Sequence, residues 1–297
     1  MASRLHPIAT FAFAALILLF TGGPVLLSLY GSLVPDRVLL SPDKSILTEG
    51  PNLETYRYVF TGQLPDSYKQ ESANRAMISD AARQVPRALM NSSINALACM
   101  LLNLILGAPA AFVFAHYVFP GKRISFMYLI LSPLVPAVAL VTPIYMMLEF
   151  LGLVGTQIGI ILVHTAKALP FTVLILSVFF RKIPADIFEA ATLDHCSRLQ
   201  TFWRIALPLA LPSVGATGLF AFMLSYSEYM FAMILSGDAQ TRPVSVVMAA
   251  LARNTDVSWS LLNTGIFIAI VPTLVLVVLV WRFVVEGLIG GASRDSR

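Results

Sequence analysis

Six apolar stretches, each close to or beyond the ~20 residues a helix needs to cross a bilayer, divide the 297-residue sequence: residues 8–33, 88–119, 124–150, 158–180, 213–236 and 262–285. Hydrocarbon offers no hydrogen bonds, so a chain carrying such runs has to satisfy its backbone internally, and helices do that within each segment. Composition agrees. The chain is 57% hydrophobic and 12% charged with a mean hydropathy of +0.79, whereas about 25% charge is usual for soluble domains. The reading is an all-α integral membrane protein with six transmembrane helices.

Six spans put both termini on one side of the membrane. Residues 34–87 are too charged to enter it and form an extramembrane element, in which Asn52 is placed to cap a short helix over 53–60 and residues 74–84 read as another helix ending before Pro86. The first run continues through Gly22-Gly23-Pro24, beyond the ~7–15 apolar residues of a secretory signal, and is expected to be an uncleaved span. The organisation is residues 1–86, a first span plus extramembrane segment, followed by a core of the remaining spans over 87–297. No internal repeat or low-complexity run interrupts it.

Several function classes drop out. A net charge of +4 without a Lys/Arg run or an aromatic-basic stripe gives nucleic acid nothing to bind. Cys99 lies in an apolar span and Cys196 in a polar loop, so no disulfide is expected. His6, His116, His164 and His195 have no metal-ligand spacing, and no serine sits in a nucleophile elbow. A Gly-x-x-x-x-Gly-Lys-Ser/Thr phosphate loop is missing from the sequence, so the chain cannot cradle a nucleotide in that manner.

One polar stretch departs from membrane logic: residues 181–212, RKIPADIFEAATLDHCSRLQTFWRIALPLALP. Pro184 suits a helix start, where its missing N–H is unused, and Asp186 and Glu189 place negative charge near that N-terminus. Ile187, Ala190 and Ala191 make a small apolar patch whose alanines admit close approach of another backbone. Ser197 with Gln200 three residues on predicts a capping box opening a second helix, anchored by Leu199, Phe202, Trp203 and Ile205 up to Pro208. A charged connection is the plain alternative, but loops longer than about 12–15 residues are usually functional.

Glu189-Ala190-Ala191, Asp194, then Arg204-Ile205-Ala206-Leu207-Pro208 and Pro212 resemble the EAA loop of permease subunits in ATP-binding-cassette importers of the sugar type. The family carries Gly where this chain has His195, so the turn between the helices is expected to differ there; positive φ is uncommon for a non-Gly residue, although His is enriched in it. Residues 152–180, residues 52–60, Ser227-Glu228-Tyr229 and the tail Glu286-Gly287-Leu288 with Gly290-Gly291-Ala292 are also similar to the family, which covers nearly the whole chain.

The resemblance implies a coupling set of Glu189, Ala190, Ala191, Asp194, His195, Arg204, Leu207 and Pro208 that docks on a dimer of cytoplasmic ABC ATPases. ATP and Mg would bind in that ATPase, with no cofactor on this chain and no enzymatic activity of its own. It also implies a second related permease, an extracytoplasmic substrate-binding protein met by residues 34–87 and the 236–261 loop, a carbohydrate or polyol as cargo, and a place in the lipid of the cell inner membrane.

Orientation follows the Lys/Arg bias. On the side of the 181–212 stretch sit Arg4, Lys122, Arg123, Arg181, Lys182, Arg198, Arg204, Arg282, Arg294 and Arg297, against Arg242 and Arg253 in the two short loops opposite. Residues 34–87 counterbalance this with Arg37, Lys44, Arg57, Lys69, Arg75, Arg83 and Arg87. The resemblance decides the direction, with the loop and both termini cytoplasmic.

Lys167 and Glu228 are the clear charges deep inside spans, and burying such a group costs about 2.5–3.5 kcal/mol on insertion scales. Their depths are similar, so they either pair structurally or face a substrate path with Tyr226 and Tyr229. An ion-coupled secondary transporter using Lys167 and Glu228 is the alternative function, and a non-transporting membrane scaffold a third. Pro133, Pro136 and Pro143 are expected to bend the third span, beside the path or through packing alone.

Overall fold

The computed structural model describes residues 7–39, 51–63, 80–254 and 257–292, and among these there are helices and turns but no strand. The expected positions Arg4, His6, Lys44, Lys69, Arg75, Arg294 and Arg297, and the first six residues of the helix expected over 74–84, lie outside the described residues. Two compact units account for the chain, residues 1–87 with 247–271 and residues 88–246 with 272–297.

The first unit contains α1 (Pro7–Leu33), α2 (Asp36–Leu39) and α3 (Glu54–Thr61), with parts of the longer α4 (Asp80–His116), α12 (Val244–Arg253) and α13 (Trp259–Ala292). α1 is apolar on every side and its most apolar 18 residues bury nothing within the chain, the pattern of a helix clothed by lipid or another subunit. Its C-terminal end is different. There Gly31 lies so close to Asn263 of α13 that a Cβ would sit 2.6 Å from the Asn263 Nδ2. Beside it the hydroxyls of Ser32 and Tyr56 share a hydrogen bond of 2.7 Å, and those of Thr55 and Thr264 one of 2.8 Å. Asn52 accepts from the Glu54 amide at 2.7 Å, so it fixes the entry to α3 from one residue before the N-cap Leu53, and the helix starts one residue later than expected.

The second unit is built around the packing of α7 (Gln157–Arg181) on α10 (Leu211–Tyr226), with α5 (Lys122–Leu131) and α11 (Met230–Leu235) also against α7 and α6 (Ala137–Phe150) against α11. Small residues set the spacing: a Cβ on Gly107 of α4 would lie 2.7 Å from Thr172 Cγ2 of α7. Phe112 of α4 is the hub of an aromatic cluster, 5.7 Å from Phe180 and 5.4 Å from Phe202, centroid to centroid.

Four helical stretches are continuous, long and apolar enough to cross a membrane, Ala9–Leu33, Ala81–His116, Gln157–Arg181 and Trp259–Trp281; two bent pairs bring the total to six if each is one span. Of the three prolines expected to bend the third span, Pro133 and Pro136 sit at its break and Pro143 lies inside α6. Pro133 and Pro136 break the third span into α5 and α6, which diverge by 103°; a 3₁₀ turn covers Ser132–Leu134, and Val135 is extended (ψ 125), as a residue preceding proline prefers. The fifth span is not the single helix expected over 213–236. It is α10, a break at Ser227-Glu228-Tyr229, then α11.

Two further expectations are corrected. α4 passes through Pro86 instead of stopping before it; the missing N–H removes one rung of a helix that continues to His116. The 236–261 connection holds a helix, α12, because Val244, Val247 and Leu251 recur at helical spacing and are all buried. Cys99 is buried and Cys196 half-buried, and both are free thiols.

Candidate functional site

The polar stretch folds as the helix-turn-helix that its capping residues predict. Pro184 is the N-cap of α8 (Ala185–Leu193), one position earlier than a proline inside the helix. Ala191 is buried, and Phe188 stacks against His116 of α4 at 4.2 Å, so this face holds α8 to the spans. Glu189, Ala190, Asp194 and His195 are exposed on the other side together with Leu193, which is 81% exposed. The apolar patch read from sequence is therefore split, with Ala191 packed inward and Ala190 presented outward.

α8 ends in a Schellman motif. The Cys196 amide donates to the Ala191 carbonyl at 2.9 Å and the His195 amide to that of Thr192 at 3.1 Å, which satisfies carbonyls left over at the helix end. His195 takes the left-handed conformation with φ 55. A histidine thus holds the left-handed conformation that glycine favours at this position of the motif. Ser197 then caps α9 (Arg198–Thr201): its amide donates to Gln200 Oε1 at 2.8 Å, and the Gln200 amide to Ser197 Oγ at 3.3 Å.

α9 runs into a π-helical turn over Phe202–Ala206 and a last turn Leu207–Leu209 before the chain bends by 81° into α10. Pro208 and Pro212 supply no N–H, which removes two successive rungs of the ladder, and Ala210 between them relaxes to φ −90, ψ 0. Of the apolar anchors expected here only Phe202 is buried. Leu199 and Trp203 are exposed and Ile205 is half-buried. Arg204 and Pro208 are exposed and Leu207 half-buried. Behind the two helices lies a cavity of about 840 Å³ lined by Phe112, Tyr117, Phe188 and Arg198 among others, with the Arg198 guanidinium 5.0 Å over the Tyr117 ring.

Deep in the second unit, Lys167 and Glu228 do meet: Lys167 Nζ is 3.2 Å from Glu228 Oε1. Their side chains differ in exposure, 43% for Lys167 and 4% for Glu228. The carboxylate has more partners than the lysine. His164 Nε2 lies 3.4 Å from Oε2, and the Phe231 and Ala232 amides donate to it at 3.3 Å and 3.0 Å, so Glu228 caps α11 across the break. His164 Nδ1 is 2.8 Å from Ser225 Oγ, and Ser245 donates to the Glu228 carbonyl at 2.7 Å.

The contacts of the two tyrosines lie with their own helices. Tyr226 is stacked on Phe222 at 5.5 Å and Tyr229 donates to Met233 Sδ at 2.9 Å. His164 and Ser225 were missed in the sequence, although for His164 a signal existed: it precedes Lys167 by three residues on one helix. Among the described residues no three His, Cys, Asp or Glu side chains are grouped to hold a metal ion.

Comparison with known proteins gives consistent matches. Residues 103–289 match the family described as binding-protein-dependent transport system inner membrane component. The diacetylchitobiose uptake system permease protein of Streptomyces coelicolor is 31% identical over 213 residues, 71% of this chain and 70% of that one. The trehalose transport system permease protein of Mycobacterium tuberculosis is 29% identical over 254 residues, 85% of each. Among solved structures, a bacterial ABC transporter involved in the import of the acidic polysaccharide alginate superposes with a TM-score of 0.71 at 17% identity, over 96% of this chain and 99% of that one.

Proposed function

The chain belongs to the family of binding-protein-dependent transport system inner membrane components, and from that premise we propose that it is one permease subunit of an ATP-driven importer for a carbohydrate or polyol. The observation that carries the reading is the exposed helix-turn-helix, rigidly capped at its turn and tied through Phe188 and Phe202 to the aromatic hub at Phe112. A push on α8 is thereby delivered to α4 and α7, because a packed cluster transmits displacement instead of absorbing it.

In this reading two cytoplasmic ATPase subunits bind ATP and Mg, and their closure drives α8 and the spans toward an outward-facing state. A second related permease completes the pore, and an extracytoplasmic binding protein delivers the cargo. The sugar or polyol class is supported by relatives named for diacetylchitobiose and for trehalose uptake. The docking face consists of Glu189, Ala190, Asp194, His195, Arg204 and Pro208, with Ala191 and Leu207 holding it from behind. Lys167, with its ammonium partly open, is the member of the buried cluster placed to meet cargo. Ion coupling through Glu228 finds no support, since its carboxylate is already engaged by Lys167, His164 and two backbone amides.

Glu189→Lys and Ala190→Leu test the coupling. Both residues are exposed, so the spans should insert and fold as in the parent. A charge reversed within a buried interface pair costs about 2–5 kcal/mol or more, and Leu at 190 overfills a close contact. The expected result is lost pull-down of the ATPase and lost ATP hydrolysis stimulated by the binding protein in vesicles. Parental values for both variants would remove the coupling role from α8.

A further inference from the structure

The first residues of α5 and the last of α7 come together at one end of the second unit, around a pocket of about 700 Å³. Three cations line it, Lys122 and Arg123 from α5 and Arg181 from α7, and no carboxylate does. The remaining wall is apolar, with Phe119, Ile124 and Phe126. Two of the cations are positioned. Lys122 Nζ donates to the Tyr117 carbonyl at 2.8 Å, leaving its other N–H groups available, and the Arg181 guanidinium lies 5.4 Å over the Phe126 ring.

From this basic end an apolar track leads along α5. Ile124 and Tyr128 stand four residues apart on one face, 76% and 71% exposed, with Leu131 following at the next turn, and α5 buries none of its side chains within the chain. A ligand that fits both parts carries negative charge at one end and hydrocarbon at the other. We propose that this pocket is a seat for an anionic phospholipid, its phosphodiester headgroup held by Lys122, Arg123 and Arg181 and an acyl chain lying along Ile124 and Tyr128. Such a site lies at the membrane–water boundary and does not depend on what the protein transports. A bound lipid bridges the start of the broken third span to the end of α7, the helix that leads into the helix-turn-helix.

Each surface cation contributes about five-fold to the binding of an anionic lipid, so the three together predict a preference well above ten-fold. The test is native mass spectrometry of the purified full-length chain, delipidated in mild detergent and titrated with phosphatidylglycerol or phosphatidylcholine of identical acyl chains. Phosphatidylglycerol should be retained preferentially. The triple variant Lys122→Gln, Arg123→Gln, Arg181→Gln should bind the two lipids alike, while the charge-conserving Lys122→Arg, Arg181→Lys variant and a distant Arg242→Gln keep the preference. Excess glycerol phosphate should leave the lipid bound, because it lacks the chains. Should the triple variant fail to fold, Lys122→Gln and Arg181→Gln singly should each lower the preference about five-fold. The idea is overturned by equal retention of the two lipids in the parent chain, by an unaltered preference in the neutralised variants, or by full displacement with glycerol phosphate. Equal retention would leave the cations with a topological role alone, and displacement would identify a free phosphate ester as the ligand.

Discussion

His195 is, among the described residues, the single non-glycine in the left-handed region. A Cβ there crowds the following carbonyl at a cost of about 1–2 kcal/mol, and the Schellman bonds to Ala191 and Thr192 hold it in place. His195→Gly is therefore expected to stabilise the turn by roughly 1 kcal/mol net of the extra freedom of glycine in the unfolded chain. Slower hydrogen exchange at the Cys196 amide is the readout, and unchanged or faster exchange would contradict the strain argument. Glu228 poses a different residue-scale question. Glu228→Ala removes the acceptor for two amides and the counter-charge of Lys167, a loss of about 3 kcal/mol, at the lower end for a broken buried pair because Lys167 is itself only half-buried. Glu228→Gln keeps an acceptor for α11, so assembly and yield should survive while transport falls. If Glu228→Gln instead collapses the protein and Lys167→Met restores it in the double mutant, the pair is structural and Lys167 leaves the cargo path.

At the scale of elements, caps and prolines decide the behaviour of residues 181–212. The Ser197 and Gln200 capping box starts a helix that gives way to a π turn after one turn, so α9 has little strength of its own and depends on its cap. Ser197→Ala is expected to cost about 1 kcal/mol and to loosen Arg198 from Tyr117. Limited proteolysis after Arg198 and Arg204 should then accelerate several-fold with the spans intact, and parental cleavage rates would show that tertiary packing, not the cap, holds α9. The cap and the break in the third span were legible in sequence, since Ser197, Gln200, Pro133 and Pro136 act over a few bonds. Which anchors are buried was not. Leu199 and Trp203 have the same hydropathy whether they face the spans or another subunit, and they turn outward.

At the scale of the whole molecule, membrane topology is the prediction with the widest reach. Single cysteines replacing Lys69 and Arg198, in a Cys196→Ser background that removes the half-buried native thiol, should label from opposite faces, Lys69 from outside and Arg198 from the cytoplasm, as the short-loop Lys/Arg bias favours and the family resemblance implies. Labelling of both by an impermeant reagent applied outside would invert or break the arrangement. The apolar runs by themselves determined an all-helical membrane protein, because backbone satisfaction in hydrocarbon is a property of each segment alone, and the local pattern around Glu189 determined its family. Only the tertiary structure decided that the fifth span breaks at Glu228, that His164 and Ser225 join Lys167 there, and that Ala190 and Ala191 face opposite ways. Those outcomes depend on which helix lies across from which, and a carboxylate 61 positions beyond its lysine finds that partner through packing that no local pattern encodes.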